Sequence, residues 1–167
     1  MKRVITAFLA VCLSLSAFAQ PKAVGFRTGL SGKAGIGEVS YEHYFSLFGH
    51  EYDFIEGELG VWGSSGFKAS ALYNFTLFQP EWSSDGEWGI YAGPGAVLGY
   101  GAFVNNDDPS SYTGRPFLGL TAQAGIEYRF SFPLQLSLDI RPSYLLPASR
   151  NRIGWFGIAL GLRYMFS

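Results

Sequence analysis

Ile153-Gly154-Trp155-Phe156-Gly157-Ile158-Ala159-Leu160-Gly161-Leu162-Arg163-Tyr164-Met165-Phe166 alternates without a break. Phe156, Ile158, Leu160, Leu162, Tyr164 and Phe166 fall on one face, and Trp155, Gly157, Ala159, Gly161, Arg163 and Met165 on the other. A period of two marks a strand, because successive side chains leave opposite sides of a pleated backbone. The first face is a continuous apolar stripe ending in two aromatics; the second is mostly small and carries an arginine. A strand with lipid outside and a packed polar lumen inside has this composition.

The same division recurs back along the chain. Alternating stretches separated by turn residues predict eight strands, at 23–31, 35–45, 53–63, 66–78, 87–101, 116–130, 134–145 and 153–166. Most of them reach the ~9 to 11 residues that a tilted strand needs to cross a bilayer. Their apolar faces carry Val24, Phe26 and Leu30; Val39, Tyr41 and Phe45; Ile55, Leu59 and Val61; Phe67, Tyr73, Phe75 and Leu77; Trp88, Ile90, Leu98 and Tyr100; Leu118, Leu120, Ile126, Tyr128 and Phe130; and Leu134, Leu136, Leu138 and Ile140. The opposite faces collect Arg27, Glu38, Glu42, Glu56, Glu58, Lys68, Glu127, Arg129, Asp139, Arg141 and Arg163, with Ser70, Asn74, Thr76, Thr121, Gln123, Gln135, Ser137 and many glycines. Alternation alone does not say which face is inside. Bases and acids in near balance on one face can neutralise one another in an interior, where isolated charges would be costly. The uninterrupted apolar face and aromatics near the strand ends then favour a membrane barrel over a soluble one.

Composition agrees with this class. At 167 residues the chain has room for one domain, and 48% hydrophobic with 17% aromatic is rich beside 15% charged. Lys2 and Arg3, the apolar run Val4 to Ala17 and the small-x-small Ala17-Phe18-Ala19 read as a secretory signal peptide over 1–19, leaving 20–167 as the barrel domain. Cys12 lies in the leader, so the mature chain is expected to hold no disulfide and no thiolate metal site. Removing Lys2 and Arg3 takes the formal charge from −1 to −3, which argues against a nucleic-acid partner.

With the amino terminus on the periplasmic side, turns after the second, fourth and sixth strands face the periplasm. The loop 102–115, with Asn105-Asn106-Asp107-Asp108-Pro109, then lies outside. Ser46 to Tyr52 and Gln79 to Gly86 are longer than periplasmic turns usually are.

Taken together the chain resembles the small outer-membrane barrels of the OmpA/OmpX-like type, especially the compact barrels common in Bacteroidetes. Gly161-Leu162-Arg163-Tyr164-Met165-Phe166 carries the resemblance most specifically, and Gly161, Tyr164 and Phe166 resemble the carboxy-terminal signal read by the barrel-assembly machinery. Ala159 and the trailing Ser167 depart from the usual pattern. Gly125 to Phe130 and Pro133 to Pro142 are similar to the penultimate hairpin of that group. The resemblance implies an all-β, eight-stranded antiparallel transmembrane up-and-down barrel in the outer membrane, in contact with lipid and lipopolysaccharide. It implies no reaction.

The chemistry-bearing residues fit that expectation. An eight-stranded barrel is just wide enough for side chains to fill. Arg27, Glu38, Glu56, Glu58, Lys68, Glu127, Arg129, Asp139, Arg141 and Arg163 therefore read as a lumen charge network, with a narrow solute pore as the alternative. A lipid A-modifying enzyme would need histidine, serine and carboxylate together, here His43, Ser46 and Glu42 or Glu51. The expected topology puts His43 at the periplasmic end, away from the outer leaflet. Gly93-Pro94-Gly95 lacks the lysine and helix of a phosphate loop, and Pro94 is expected to mark a bulge or bend. Asp107 and Asp108 lack EF-hand spacing. The reading is a monomeric barrel with no catalytic, cofactor or metal site, structural or envelope-associated, with surface binding through 102–115 as a further alternative.

Overall fold

The computed structural model describes residues 20–29, 37–47, 50–62, 66–104, 111–146 and 157–167. The expected leader, Leu30, Asn105 to Pro109 and Ile153 to Phe156 lie outside the described residues. We number the strands β1 (Lys22–Gly29), β2 (Glu38–Leu47), β3 (His50–Trp62), β4 (Gly66–Phe78), β5 (Gly86–Val104), β6 (Tyr112–Phe130), β7 (Leu134–Arg141, continued by Ser143–Leu146) and β8 (Gly157–Phe166). Each pairs antiparallel with the next, and β8 pairs with β1, so the sheet closes into an eight-stranded barrel. Closure gives every strand a partner on both sides, with Ser143–Leu146 paired only to β6 among the described residues.

The seam is set by the stretch that opened the sequence reading. Lys22 stands opposite Phe166, Val24 opposite Tyr164, Phe26 opposite Leu162 and Gly29 opposite Ala159. Ile158, Leu160, Leu162, Tyr164 and Phe166 are exposed on the outside, while Gly157, Ala159, Gly161 and Arg163 are buried within. The same parity holds around the wall. Phe26, Leu59, Phe67, Leu77, Leu98, Leu118 and Leu120 are all more than half exposed, while Arg27, Glu56, Glu58, Lys68, Glu127 and Arg129 on the opposite face are buried.

Two connections and one proline differ from the sequence expectation. Ser46 to Tyr52 is no long turn: β2 runs to Leu47 and β3 resumes at His50, with a bulge between Phe45 and Leu47. Tyr52 takes up the extra residue at a φ of 72°. The two ends of the stretch 102–115 are strand, because β5 and β6 stay paired out to Val104 and Tyr112. Pro94 holds register with Ala122, and the β4–β5 bulge falls instead between Thr76 and Phe78. Proline withholds a ladder donor without needing an extra residue. Beside it, a Cβ on Gly93 would sit 1.7 Å from the Tyr73 carbonyl oxygen, so the backbones meet where only glycine fits.

Near its bulge, β4 is held by a residue the pattern does not single out. Asp53 shares the outward parity of Ile55 yet is fully buried. Its Oδ1 accepts the Thr76 backbone N–H at 3.0 Å, and its Oδ2 accepts the Tyr73 hydroxyl at 3.3 Å. Asp53→Ala strands that N–H and is expected to lower stability by about 2 kcal/mol. Asp53→Asn retains an acceptor and should lose less. Urea midpoints of the refolded protein check both, and an unchanged midpoint for the alanine would show that water replaces the carboxylate.

Candidate functional site: the charged lumen

Strand parity aims the charged residues of seven strands at one axis. All ten residues expected in the lumen network are buried, and Glu42 joins them. From Lys68 to Glu42 they form one chain of alternating sign. Lys68 pairs with Glu38, and Glu38 accepts from Arg27 at 3.0 Å. Arg27 grips Asp139 with Nε and Nη2, and its Nε lies 3.7 Å from Glu58. Glu58 pairs with Arg141, which donates to Gln123 at 2.6 Å and reaches Glu56 at 3.4 Å. Glu56 pairs with Arg163, whose Nε lies 3.0 Å from Glu42.

Neutral side chains continue the chain. Tyr44 Oη lies 2.8 Å from Glu42 Oε2 and 3.1 Å from Glu127 Oε2, and Gln135 donates to the same two oxygens at 3.0 and 2.8 Å. Glu127 then stands 3.4 Å from Arg129, and Arg129 stands 3.6 Å from the exposed Glu87. The chain thus runs from Lys68 near one mouth to Glu87 near the other. At this degree of burial each charge depends on its neighbours, because a buried ion that loses its partner costs several kcal/mol.

Apolar side chains close the remaining space, and the sequence reading did not place them. Ala23, Tyr44, Phe54 and Tyr91 cluster at the end that carries both termini, with the Tyr44–Phe54 and Phe54–Tyr91 ring centroids each 5.1 Å apart. Val97, Phe117 and Leu145 form a second buried cluster towards the other end. Parity would have found them: Tyr44 follows Glu42 by two residues and Phe54 precedes Glu56 by two. Choosing inward residues by polarity passes over them.

Two of the enzyme candidates, Glu42 and His43, are kept apart. Glu42 is buried in the lumen, whereas His43, the next residue on the same strand, is half-buried on the outer face, its ring 6.4 Å from that of Phe45. Adjacent strand residues point to opposite sides, so this acid and this base cannot act on one substrate. The side chains of Ser46 and Glu51 lie outside what the structure describes.

A closed antiparallel eight-stranded barrel, apolar outside and charged inside, is the architecture of the small OmpA-like barrels. In keeping with this, the chain is similar in structure to the N-terminal β-barrel domain of OprF from Pseudomonas aeruginosa, with a TM-score of 0.60 and 13% identity over 88% of this chain and 97% of that one. No protein-family model matches the chain, and no curated protein sequence matches it.

Proposed function

We propose that this chain is an integral outer-membrane barrel, exported by its leader 1–19, whose filled lumen makes it a structural, envelope-associated element and not a catalyst. The observation that carries the proposal is the connected chain of lumen side chains from Lys68 to Glu87, alternating in sign as far as Glu42 and carried on to Glu127 by Tyr44 and Gln135, inside a wall whose outer face is apolar. A water-filled porin leaves an open aqueous channel. Here guanidinium groups, carboxylates and two apolar clusters fill that volume.

Aromatic belts support the membrane reading. At the end carrying both termini, Trp82, Trp88, Tyr128, Phe130 and Phe132 form a continuous run of ring contacts, each neighbouring pair of centroids 4.7 to 5.6 Å apart. Phe45, Tyr73 and Phe75 make another, at 5.5 and 4.6 Å. Towards the opposite end Phe67 and Tyr100 face outward in register. Phe67 and Phe75 are eight residues apart on β4, or about 27 Å along a strand. A tilt of roughly 40° reduces this to about 20 Å of height, close to the apolar band of a bacterial barrel.

In this reading both termini face the periplasm, Gly161, Tyr164 and Phe166 serve as the assembly signal, the monomer sits against lipid and lipopolysaccharide, and the likeness to Bacteroidetes-type barrels rests on the closing strand. Extraction in detergent followed by electrophoresis of heated and unheated samples tests the fold in its membrane setting. A compact species that unfolds only on boiling is expected, and a water-soluble, non-shifting protein would overturn the proposal. Planar-bilayer recordings should show no stable channel steps; regular steps would favour the narrow-pore alternative.

A further inference from the structure

The lumen chain has one place where its sign does not alternate. Between Glu42 and Glu127 acid meets acid, and both are buried. Glu42 Oε2 and Glu127 Oε2 share the same two neighbours, at 2.8 and 3.1 Å from Tyr44 Oη and at 3.0 and 2.8 Å from Gln135 Nε2. Four contacts of hydrogen-bond length therefore meet these two oxygens, but one hydroxyl and one amide group supply three hydrogens between them. One hydrogen is missing.

The charges fall short in the same sense. The ten expected lumen residues divide evenly into acids and bases, and Glu42 makes the acids one too many. Glu42 lies 3.0 Å from Arg163 Nε, whereas Glu127 stands 3.4 Å from Arg129 and its Oε1 is buried with no hydrogen-bond partner among the described residues. An unmet lone pair costs less on a neutral carboxyl group than on an ion, so Glu127 is the better seat for the hydrogen.

The surrounding elements leave no spare cation for the pair. Across the ladders Glu42 faces Ala23 on β1 and Glu56 on β3, and Glu127 faces Gly89 on β5 and Ser137 on β7. Arg163 on β8 is divided between Glu42 and Glu56, and Arg129 on β6 between Glu127 and Glu87. Arg27 on β1 and Lys68 on β4 are engaged by Asp139 and Glu38, and the Tyr91 hydroxyl on β5 accepts from Gln123 at 3.3 Å. A metal ion suits the two oxygens poorly, because Tyr44 and Gln135 both turn hydrogens towards them.

We propose that the lumen binds one proton, seated on Glu127 Oε2 and donated to Tyr44 Oη, which in turn donates to Glu42 Oε2. This supplies the fourth hydrogen and removes the surplus charge. It goes beyond the filled-lumen reading and does not depend on where the barrel is inserted. Arg129 stacks against Tyr52 at 4.2 Å and stands 3.6 Å from the exposed Glu87. Loss of the proton gives that guanidinium a second, buried claimant, so proton occupancy is linked to the mouth of the barrel.

Infrared spectra of the refolded full barrel in detergent micelles, at about pH 7.5, read the proton directly, since an unperturbed glutamate is ionised there. With glutamate ¹³C-labelled at the carboxyl carbon, an isotope-shifted band of a protonated glutamate is expected in the parent and absent in Glu127→Gln. Tyr44→Phe removes the relay and should move that band without abolishing it, which decides the matter even if Glu127→Gln does not refold. Unfolding gives a second readout. The folded pair keeps a proton that the unfolded chain, whose glutamates ionise at about 4.3, gives up, so rising pH weakens the barrel. Between about pH 6 and 9 the unfolding constant of the parent should rise, relative to that of Glu127→Gln, by up to about tenfold per pH unit. The proposal fails if the parent lacks the band, if the band persists in Glu127→Gln, if Tyr44→Phe leaves it unmoved, or if the parent and Glu127→Gln share one pH dependence. It fails equally if sodium chloride, set against choline chloride at equal ionic strength, stabilises the parent and not Glu127→Gln, because a cation would then neutralise the pair.

Discussion

Arg163→Ala is expected to destabilise the barrel more than any other single side-chain truncation, by about 3 to 5 kcal/mol. Arg163 is 1% exposed. Its Nε donates to Ser40 at 2.7 Å and lies 3.0 Å from Glu42; its Nη1 donates to Ser137 at 2.7 Å; its Nη2 donates to Glu56. Truncation leaves the buried carboxylates of Glu42 and Glu56 with one cation fewer between them. A typical domain is stable by only about 5 to 15 kcal/mol, so the loss should be plain as a fall in the urea midpoint of refolding. Arg163→Lys keeps the charge but not the planar fork that serves partners on three other strands, and it should fall between the two. The double variant Arg163→Ala/Glu56→Gln should lose less than the sum of its single changes, because the second substitution removes an ion the first has stranded. Strict additivity, or a midpoint within about 1 kcal/mol of the parent for Arg163→Ala, would mean that the lumen charges are solvated individually and do not form one network.

Arg163 also shows how far the sequence could be read. Its inward direction follows from the alternation of the closing strand alone, and its class of partner follows from the acids that share its face. Which acid it grips depends on stagger between strands, and that is set by closure. Gly25 stands opposite Arg163 and Ser137 opposite Gly161, pairings that no local pattern contains. Asp53 was illegible for a related reason: its parity places it outside, and only the β4 bulge between Thr76 and Phe78 turns a backbone N–H towards it. The same limit applies to Ser46 to Tyr52, where polar residues and a histidine suggest a turn, yet pairing persists because a single left-handed residue absorbs the mismatch. Tyr44, Phe54 and Tyr91 are a different case. The information was present in their spacing, and the assumption that a lumen is polar concealed it.

The second large effect is expected at the seam. β8 can close on β1 only if the two backbones approach at Gly25, where an added Cβ would lie 2.0 Å from the Leu162 carbonyl oxygen and 2.5 Å from the Arg163 Cα. Both obstacles are backbone, so no rotamer change relieves them. Gly25 shares the inward parity of Ala23 and Arg27, and the missing side chain lets the Arg163 guanidinium cross the seam towards Ser40, the residue paired with Gly25 on β2. Gly25→Val therefore separates the strands and blocks the route of the central arginine together. The expected cost is about 3 kcal/mol or more, at the upper end for overpacking. Its outcome should differ in kind from that of Arg163→Ala. The arginine variant has an intact ladder from Lys22–Phe166 to Gly29–Ala159 and should still form a compact, heat-modifiable species that unfolds early in urea. The valine variant cannot complete the ladder, so the compact species itself should be depleted in unheated samples. Gly25→Val refolding to the parent's yield would show that β1 and β8 close through a different register, and the lumen network that depends on this one would have to be redrawn.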